Sequence, residues 1–169
     1  MESEPSRASS PEIGIGAKSN TTRSEVRVQR SALVPFVPAR MFALVADFER
    51  YPQWFDWCVS AHVLAREGAR VRAELGVRVA GIAIKFSTEN LESAPDRIEL
   101  SLLEGPFRSL IGIWTFAPIG DTGTRVSLDL AFEVNSGMVA AALSLGFRAL
   151  ADRMVDDFCR TARLEFGRG

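Results

Sequence analysis

The chain has 169 residues, 47% of them hydrophobic, and this length and composition fit one globular domain with its own core. Its 20 Lys and Arg residues nearly balance 21 Asp and Glu residues, so the net charge of −1 gives no support to DNA binding through bulk charge. With 1 histidine and two widely separated cysteines, Cys58 and Cys159, the sequence lacks the ligands of a zinc site. We expect both thiols to stay reduced.

The N-terminal segment differs in composition from the rest of the chain. Residues 1–23 are rich in Ser, Pro, Gly and Asn without hydrophobic periodicity, which predicts a disordered tail before a domain spanning residues 24–166. The segment has no apolar stretch of the kind found in signal peptides, and no run in the chain approaches the roughly 20 apolar residues needed to cross a bilayer. We therefore expect a cytoplasmic protein, with peripheral contact at the inner face of the cytoplasmic membrane as a further expectation.

The first elements are a strand and a short helix. Alternating residues from Glu25 predict a strand that ends near Pro35. Pro38 suits the first position of a helix, and apolar residues follow it at helical spacing. This helix should end near Pro52, because the residue before a proline disfavours the helical conformation.

A series of strands follows, with apolar and polar residues alternating along each one. This period of two indicates one buried and one solvated face, as in antiparallel sheets. Gly81 interrupts the pattern, and turn-forming residues stand at 94–96 and 120–123. The predicted strands are Val71–Val79, Ile82–Phe86, Ile98–Leu102, 110–117 and Val126–Phe132.

The last predicted element is a long helix from Ser136 to Arg163. Its apolar residues repeat at intervals of three and four, which predicts one buried stripe. The stripe consists of Leu143, Phe147, Leu150, Met154 and Phe158. Opposite charges four residues apart predict ion pairs on the solvated side. These pairs are Arg148 with Asp152, Arg153 with Asp157 and Asp156 with Arg160.

This order of elements predicts an α+β protein of the helix-grip type, in which a curved antiparallel sheet wraps around a long C-terminal helix. A helix cannot lie flat on a strongly twisted sheet without leaving space. We therefore expect an apolar cavity between them, which is typical of a site for a hydrophobic small molecule.

Two segments carry a resemblance to a known family. Residues 51–58 read YPQWFDWC, and residues 105–116 read GPFRSLIGIWTF. Both resemble segments of the coenzyme Q-binding protein and ribosome-association toxin family of the START-like, polyketide cyclase-like superfamily. Weaker similarity at residues 132–135 and in the last helix extends the resemblance over about residues 25–165.

The resemblance implies a non-catalytic binding protein or chaperone for ubiquinone or a similar polyprenyl lipid, supporting respiratory electron transport. Such a protein requires no cofactor, and ubiquinone would be its bound ligand. The family also implies an alternative, a toxin that binds the large ribosomal subunit and blocks subunit joining. A third reading is a polyketide cyclase or aromatase, which would need several polar groups in its pocket. The sequence pairs no nucleophile with a base, so we expect no enzyme.

The expected ligand-binding residues lie in the aromatic segment, on the apolar strand faces and in the last helix. They are expected to line the pocket or to form its lid. They are Tyr51, Trp54, Phe55, Trp57, Phe86, Leu100, Leu102, Phe107, Trp114, Phe116, Leu130, Phe132, Leu143, Phe147 and Met154.

Three surface features leave alternatives open. Trp54, Phe55 and Trp57 are interpreted as a lid or as anchors at a membrane interface. Residues 138–147 are apolar on all sides, so they should contact the cavity, a partner subunit or a membrane. A group of arginines alternates on exposed strand faces and is interpreted as a solvated surface or as a phosphate-binding patch for RNA. This group is Arg66, Arg70, Arg72 and Arg78.

Overall fold

The computed structural model describes residues 25–167, so the tail predicted at residues 1–23 lies outside the described residues. Residues 25–167 form seven strands, three α-helices and one 3₁₀ turn at Phe48–Arg50. The strands are β1 (Val26–Val34), β2 (Cys58–Glu67), β3 (Arg70–Val79), β4 (Ile82–Ser93), β5 (Arg97–Glu104), β6 (Phe107–Ile119) and β7 (Gly123–Val134). The helices are α1 (Pro38–Ala46), α2 (Tyr51–Trp54) and α3 (Ala140–Phe166).

The strands form a single antiparallel sheet in the order β1-β7-β6-β5-β4-β3-β2. Strands β2 to β7 are joined as consecutive neighbours, whereas β1 pairs with β7, the last strand of the chain. The segment containing α1 and α2 therefore runs from one edge of the sheet to the other.

The sheet curls around α3. This helix contacts β1 and β7 at one end of the strand order and β3 near the other end. A flat sheet could not bring β1 and β3 to the same helix, because four strands stand between them in the strand order. The predicted α+β helix-grip architecture is thus confirmed.

Most side chains that were predicted to face the core are buried in the structure. On β7, Val126, Leu128, Leu130 and Phe132 are all buried, and on α3 the predicted stripe is buried except for Met154, which is half-buried. The prediction fails on the first half of β4, because Ile82 is exposed at the hairpin end.

Three local features differ from the prediction. The last helix runs from Ala140 to Phe166 rather than from Ser136 to Arg163. The first helix ends at Ala46 rather than near Pro52, which lies in the first turn of α2. Proline lacks the N–H that a first helical turn leaves unpaired, so Pro52 begins a helix instead of ending one. Strand β2 was not predicted at all. Its burial pattern contains few buried positions, because β2 is an edge strand.

The ion pairs of α3 differ in part from the predicted ones. Arg153 pairs with Asp157 as predicted, at 3.0 Å. Arg160 pairs with Asp157 instead of Asp156. Asp152 pairs with Arg30 of β1 at 3.2 Å instead of with Arg148, because α3 lies against the edge of the sheet.

Candidate ligand cavity

A partly enclosed cavity lies between the concave face of the sheet and α3. Its volume, measured as the space open to the centre of a water molecule, is about 60 Å³. This holds a few waters, whereas pockets for drug-sized ligands measure roughly 300–1,000 Å³. The lining residues are Phe48, Tyr51, Trp57, Leu75, Val77, Phe86, Thr88, Asn90, Leu100, Leu110, Trp114, Leu128, Leu130, Phe147, Leu150 and Met154.

About half of the predicted site residues line this cavity. They come from the aromatic segment, from four neighbouring strands of the sheet and from α3, as the curvature of the sheet requires. The predicted residues that line the cavity are Tyr51, Trp57, Phe86, Leu100, Trp114, Leu130, Phe147 and Met154.

The other predicted residues lie behind or beside the cavity wall. Most of the aromatic ones form a second layer against a lining ring: Phe55 stacks on Trp57 at 4.8 Å, and Phe132 meets Phe147 at 4.8 Å. The predicted residues that do not line the cavity are Trp54, Phe55, Leu102, Phe107, Phe116, Phe132 and Leu143. An inward-facing side chain on a strongly curved sheet can thus be buried without facing the cavity.

The aromatic segment belongs to the core. Tyr51 is buried, its hydroxyl donates to the carbonyl of Val45, and its ring meets Phe158 at 5.1 Å. Phe55 and Trp57 are each 5% exposed. The interpretation of these two residues as membrane anchors is therefore wrong, because their rings already pack against the protein.

Trp54 is the half-exposed member of the segment. The guanidinium of Arg50 lies over its ring, 4.9 Å from the centroid. A cation over an indole face is a stabilising contact that occupies one face of the ring. Trp54 therefore covers the aromatic core from outside and has no contact with the cavity.

A buried carboxylate holds the aromatic segment to α3. Asp157 is 3% exposed and accepts a hydrogen bond from Trp57 Nε1 at 3.0 Å. It also accepts from Arg153 Nε at 3.0 Å and from Arg160. These donors satisfy a charge that would otherwise be costly to bury. Sequence analysis paired Asp157 with Arg153 but missed its bond to Trp57, since the two residues are 100 positions apart.

Two polar residues of β4, Thr88 and Asn90, line the cavity and were not predicted. They are 6% and 2% exposed, and Thr88 Oγ1 lies 3.2 Å from Asn90 Oδ1. The alternation that begins at Ile82 and runs through Phe86 places both side chains inward if it is continued for two more steps. The alternation along β4 could therefore have predicted that Thr88 and Asn90 face the cavity.

The electrostatics of the cavity favour neutral groups. No Lys, Arg, Asp, Glu or His belongs to the described lining. Burial raises the pKa of Tyr51 well above its usual range, so its hydroxyl stays protonated. In residues 25–167 no group of three or more His, Cys, Asp and Glu side chains is placed to hold a metal ion. The arrangement can hold an apolar molecule, and it offers no acid–base pair for catalysis.

Comparisons with known proteins agree with this geometry. A family model described as "Polyketide cyclase / dehydrase and lipid transport" matches residues 34–159. The chain belongs to this family. It is 37% identical over 140 residues to the ribosome association toxin RatA of Pseudomonas aeruginosa, an alignment that covers 83% of the chain and 97% of the relative.

Two solved structures of similar fold cover nearly their whole length. A protein of Thermus thermophilus has a TM-score of 0.70 and 28% identity, with 86% of this chain and 99% of that one covered. The Zhui aromatase/cyclase of a Streptomyces species has a TM-score of 0.74 at 16% identity, again covering 86% and 99%. At that identity the second likeness shows the shared fold alone. The predicted family resemblance is confirmed.

Within this family member, the arginines of the outer sheet face are mostly neutralised. Arg66 pairs with Glu92 at 3.3 Å, while Arg70 and Arg72 share Glu89 at 2.9 Å and 3.3 Å. Arg78 has no carboxylate within 4.0 Å among the described residues. The four arginines therefore do not form a uniform basic patch.

The apolar segment at residues 138–147, which begins two residues before α3, is largely uncovered. Met138 is fully exposed, Val139 is 57% exposed and Leu145 is 70% exposed. Gly146 lies against the β3–β4 turn, where an added Cβ would stand 3.1 Å from Ala80. Only one side of this segment contacts the sheet, so apolar side chains face outward here. None of the helices in residues 25–167 is long and apolar enough to span a membrane.

Proposed function

We propose that this protein associates with the ribosome and acts as a toxin, as the name of its relatives implies. The observation that carries this proposal is the 37% identity over 97% of the Pseudomonas aeruginosa relative, together with 33% identity to the Escherichia coli relative over 87% of its length. A cavity without acid–base machinery supports a non-catalytic mode of action. Contact with the large subunit would block subunit joining and would place the protein in the cytoplasm.

The arginines without carboxylate partners are the best candidates for contact with ribosomal RNA. Arg78 stands two positions before Ala80 and Arg148 two positions after Gly146, the two residues that meet between the β3–β4 turn and α3. Neither arginine has a carboxylate within 4.0 Å among residues 25–167. No Asp or Glu occurs at positions 75–88 or 134–151. A phosphate can pair with these side chains without first displacing an internal partner.

The test is co-sedimentation of the full chain with purified large subunits over a series of KCl concentrations. Neutralising two phosphate contacts in R78Q/R148Q should reduce the slope of log K against log salt by about 1.4–1.8. The affinity lost through R78Q/R148Q should therefore be about tenfold larger at 50 mM KCl than at about 200 mM KCl. The matched control is R70Q/R72Q, which removes two arginines that already pair with Glu89.

The outcomes are distinct. Binding that R78Q/R148Q weakens more than R70Q/R72Q supports both ribosome association and the proposed contact surface. Binding that neither variant changes contradicts the surface but retains the association. The absence of co-sedimentation at any salt concentration contradicts the association itself.

A second candidate function is the binding of an apolar small molecule, which the cavity favours. Ubiquinone is the specific ligand that we propose for this function, since its apolar tail gains about 0.8 kcal/mol for each buried methylene group. A cavity of about 60 Å³ cannot hold a whole quinone, so α3 would have to move away from the sheet on binding. Peripheral membrane contact through Met138 and Leu145 would then bring the protein to its ligand.

Organic extraction of the protein purified from its native host, followed by mass spectrometry against a mock extract, tests this second function. A stoichiometric quinone supports it. An extract that matches the mock contradicts it and leaves the ribosome proposal unaffected.

A further inference from the structure

The cavity wall contains four side chains with polar hydrogens, and three of them are already used. The Tyr51 hydroxyl donates to the carbonyl of Val45, and Trp57 Nε1 donates to Asp157 at 3.0 Å. The Thr88 hydroxyl donates to Asn90 Oδ1 at 3.2 Å. Both hydrogens of Asn90 Nδ2 remain.

Asn90 Nδ2 is buried and has no hydrogen-bond partner among residues 25–167. The residue is 2% exposed and its side chain belongs to the cavity lining. The amide oxygen faces Thr88 Oγ1, and the amide nitrogen points away from it. A buried donor without an acceptor destabilises a folded protein, so its presence in the wall needs an explanation, and an acceptor on a bound molecule supplies one.

We propose that the cavity binds a neutral, mainly apolar molecule whose carbonyl oxygen accepts a hydrogen bond from Asn90 Nδ2. The molecule must be neutral because no charged side chain of the described chain lines the wall to pair with an ion. It must present an acceptor because the unused group is a donor. Asn90 is then the residue that distinguishes a carbonyl compound from a hydrocarbon of the same shape.

The position of Asn90 explains how one amide can orient a ligand. In the sheet register Asn90 stands between Val71 of β3 and Leu100 of β5, so apolar side chains flank it on both sides. Trp114, Leu130 and other apolar side chains complete the lining. A ligand with its carbonyl directed elsewhere would leave its own oxygen and the amide both unpaired.

This inference rests on the second candidate function, the binding of a small molecule, and is independent of ribosome association. The probes are cyclohexanone and methylenecyclohexane, which have the same ring and differ by an oxygen in place of a CH₂ group. Both are small enough to enter with side-chain adjustment at Leu100 and Met154, which are half-buried.

Binding is followed by two-dimensional NMR of the full chain, with the side-chain amide of Asn90 as the reporter. We expect the ketone to move the Asn90 amide resonances. The measured quantity is the ratio of ketone affinity to alkene affinity, because the ketone loses hydrogen bonds to water on burial and the alkene does not. In T88V/N90L, which replaces the whole polar pair by apolar side chains, this ratio should be about fivefold to tenfold lower than in the native chain, since the carbonyl is then buried without a donor. In the control T88V, which keeps the Asn90 donor, the native ratio should persist.

A ratio of ketone to alkene affinity that is the same in the native chain and in T88V/N90L would overturn the role of Asn90 while leaving the cavity as a ligand site. Asn90 amide resonances that do not move when the ketone binds would overturn it as well. If neither probe binds, the cavity does not take ligands of this class and the inference fails. The extraction experiment then decides separately whether the second candidate function survives.

Discussion

Removal of the Asp157 carboxylate should destabilise the protein strongly, although the residue touches neither the cavity nor a catalytic group. In Asp157→Ala, Trp57 Nε1 loses its acceptor while its ring stays buried, at a cost of about 1–3 kcal/mol. Arg153 and Arg160 are half-exposed and regain water, so they add only about 1 kcal/mol. The sum is about 3 kcal/mol, which lowers Tm by roughly 6–12 °C for a domain of this size.

Urea denaturation followed by tryptophan fluorescence measures this loss directly. Asp157→Asn keeps an oxygen for Trp57 but replaces the oxygen that accepts from half-exposed Arg160 by an NH₂ group, so it should cost about 1 kcal/mol. The control is Asp156→Ala, an exposed neighbour on the same helix, which should change stability by less than about 0.5 kcal/mol. The reasoning is refuted if Asp157→Ala costs under about 1 kcal/mol, or if Asp156→Ala costs as much.

Two further predictions concern a glycine and the cysteines. Gly105 has φ +152°, and an added Cβ would lie 2.6 Å from Cβ of Phe86. Gly105→Ala should therefore lower the free energy of unfolding, measured by urea denaturation, by about 2–3 kcal/mol. The control Gly137→Ala, with open space around the added Cβ, should lower it little. Burial raises the pKa of Cys58 and Cys159 from 9.0 to about 11, so both thiols should react slowly with a thiol reagent at pH 8. The thiols of the unfolded chain lose their protons at lower pH than those of the folded chain, so the contribution of these two residues to the free energy of unfolding is fully present below pH 9 and falls towards pH 11. A free energy of unfolding that does not change across that range would contradict this.

Much of the fold could be predicted because the sequence shows clear strand and helix periodicities. The alternation on β7 and the apolar stripe of α3 each define one buried face, and several such strands followed by one long helix fit few architectures besides a sheet wrapped around that helix. Strand β2 escaped prediction since an edge strand buries too few residues to alternate clearly. The end of α1 was misplaced because Pro52 fits the start of a helix as well as the boundary of one.

The cavity was predicted less well than the fold. Alternation tells which side chains of a strand face inward, but the curvature of the sheet decides which of them reach the open space. Phe116 and Phe132 face inward and are buried, yet they pack behind Trp114 and Phe147. The contact of Phe132 with Phe147 joins β7 to α3, and the periodicity of neither element records it.

The polar members of the cavity carry more information about function than the apolar ones. Any buried face of a sheet contains leucine and phenylalanine, so Leu100 or Phe86 would be inward in a protein without a ligand. Thr88 and Asn90 stand at the next two inward positions of the same strand, where an apolar residue would stabilise the core more. Their presence at inward positions indicates a requirement beyond stability. Continuing the alternation past Phe86 would therefore have identified the polar pair on which the proposed discrimination between ligands rests.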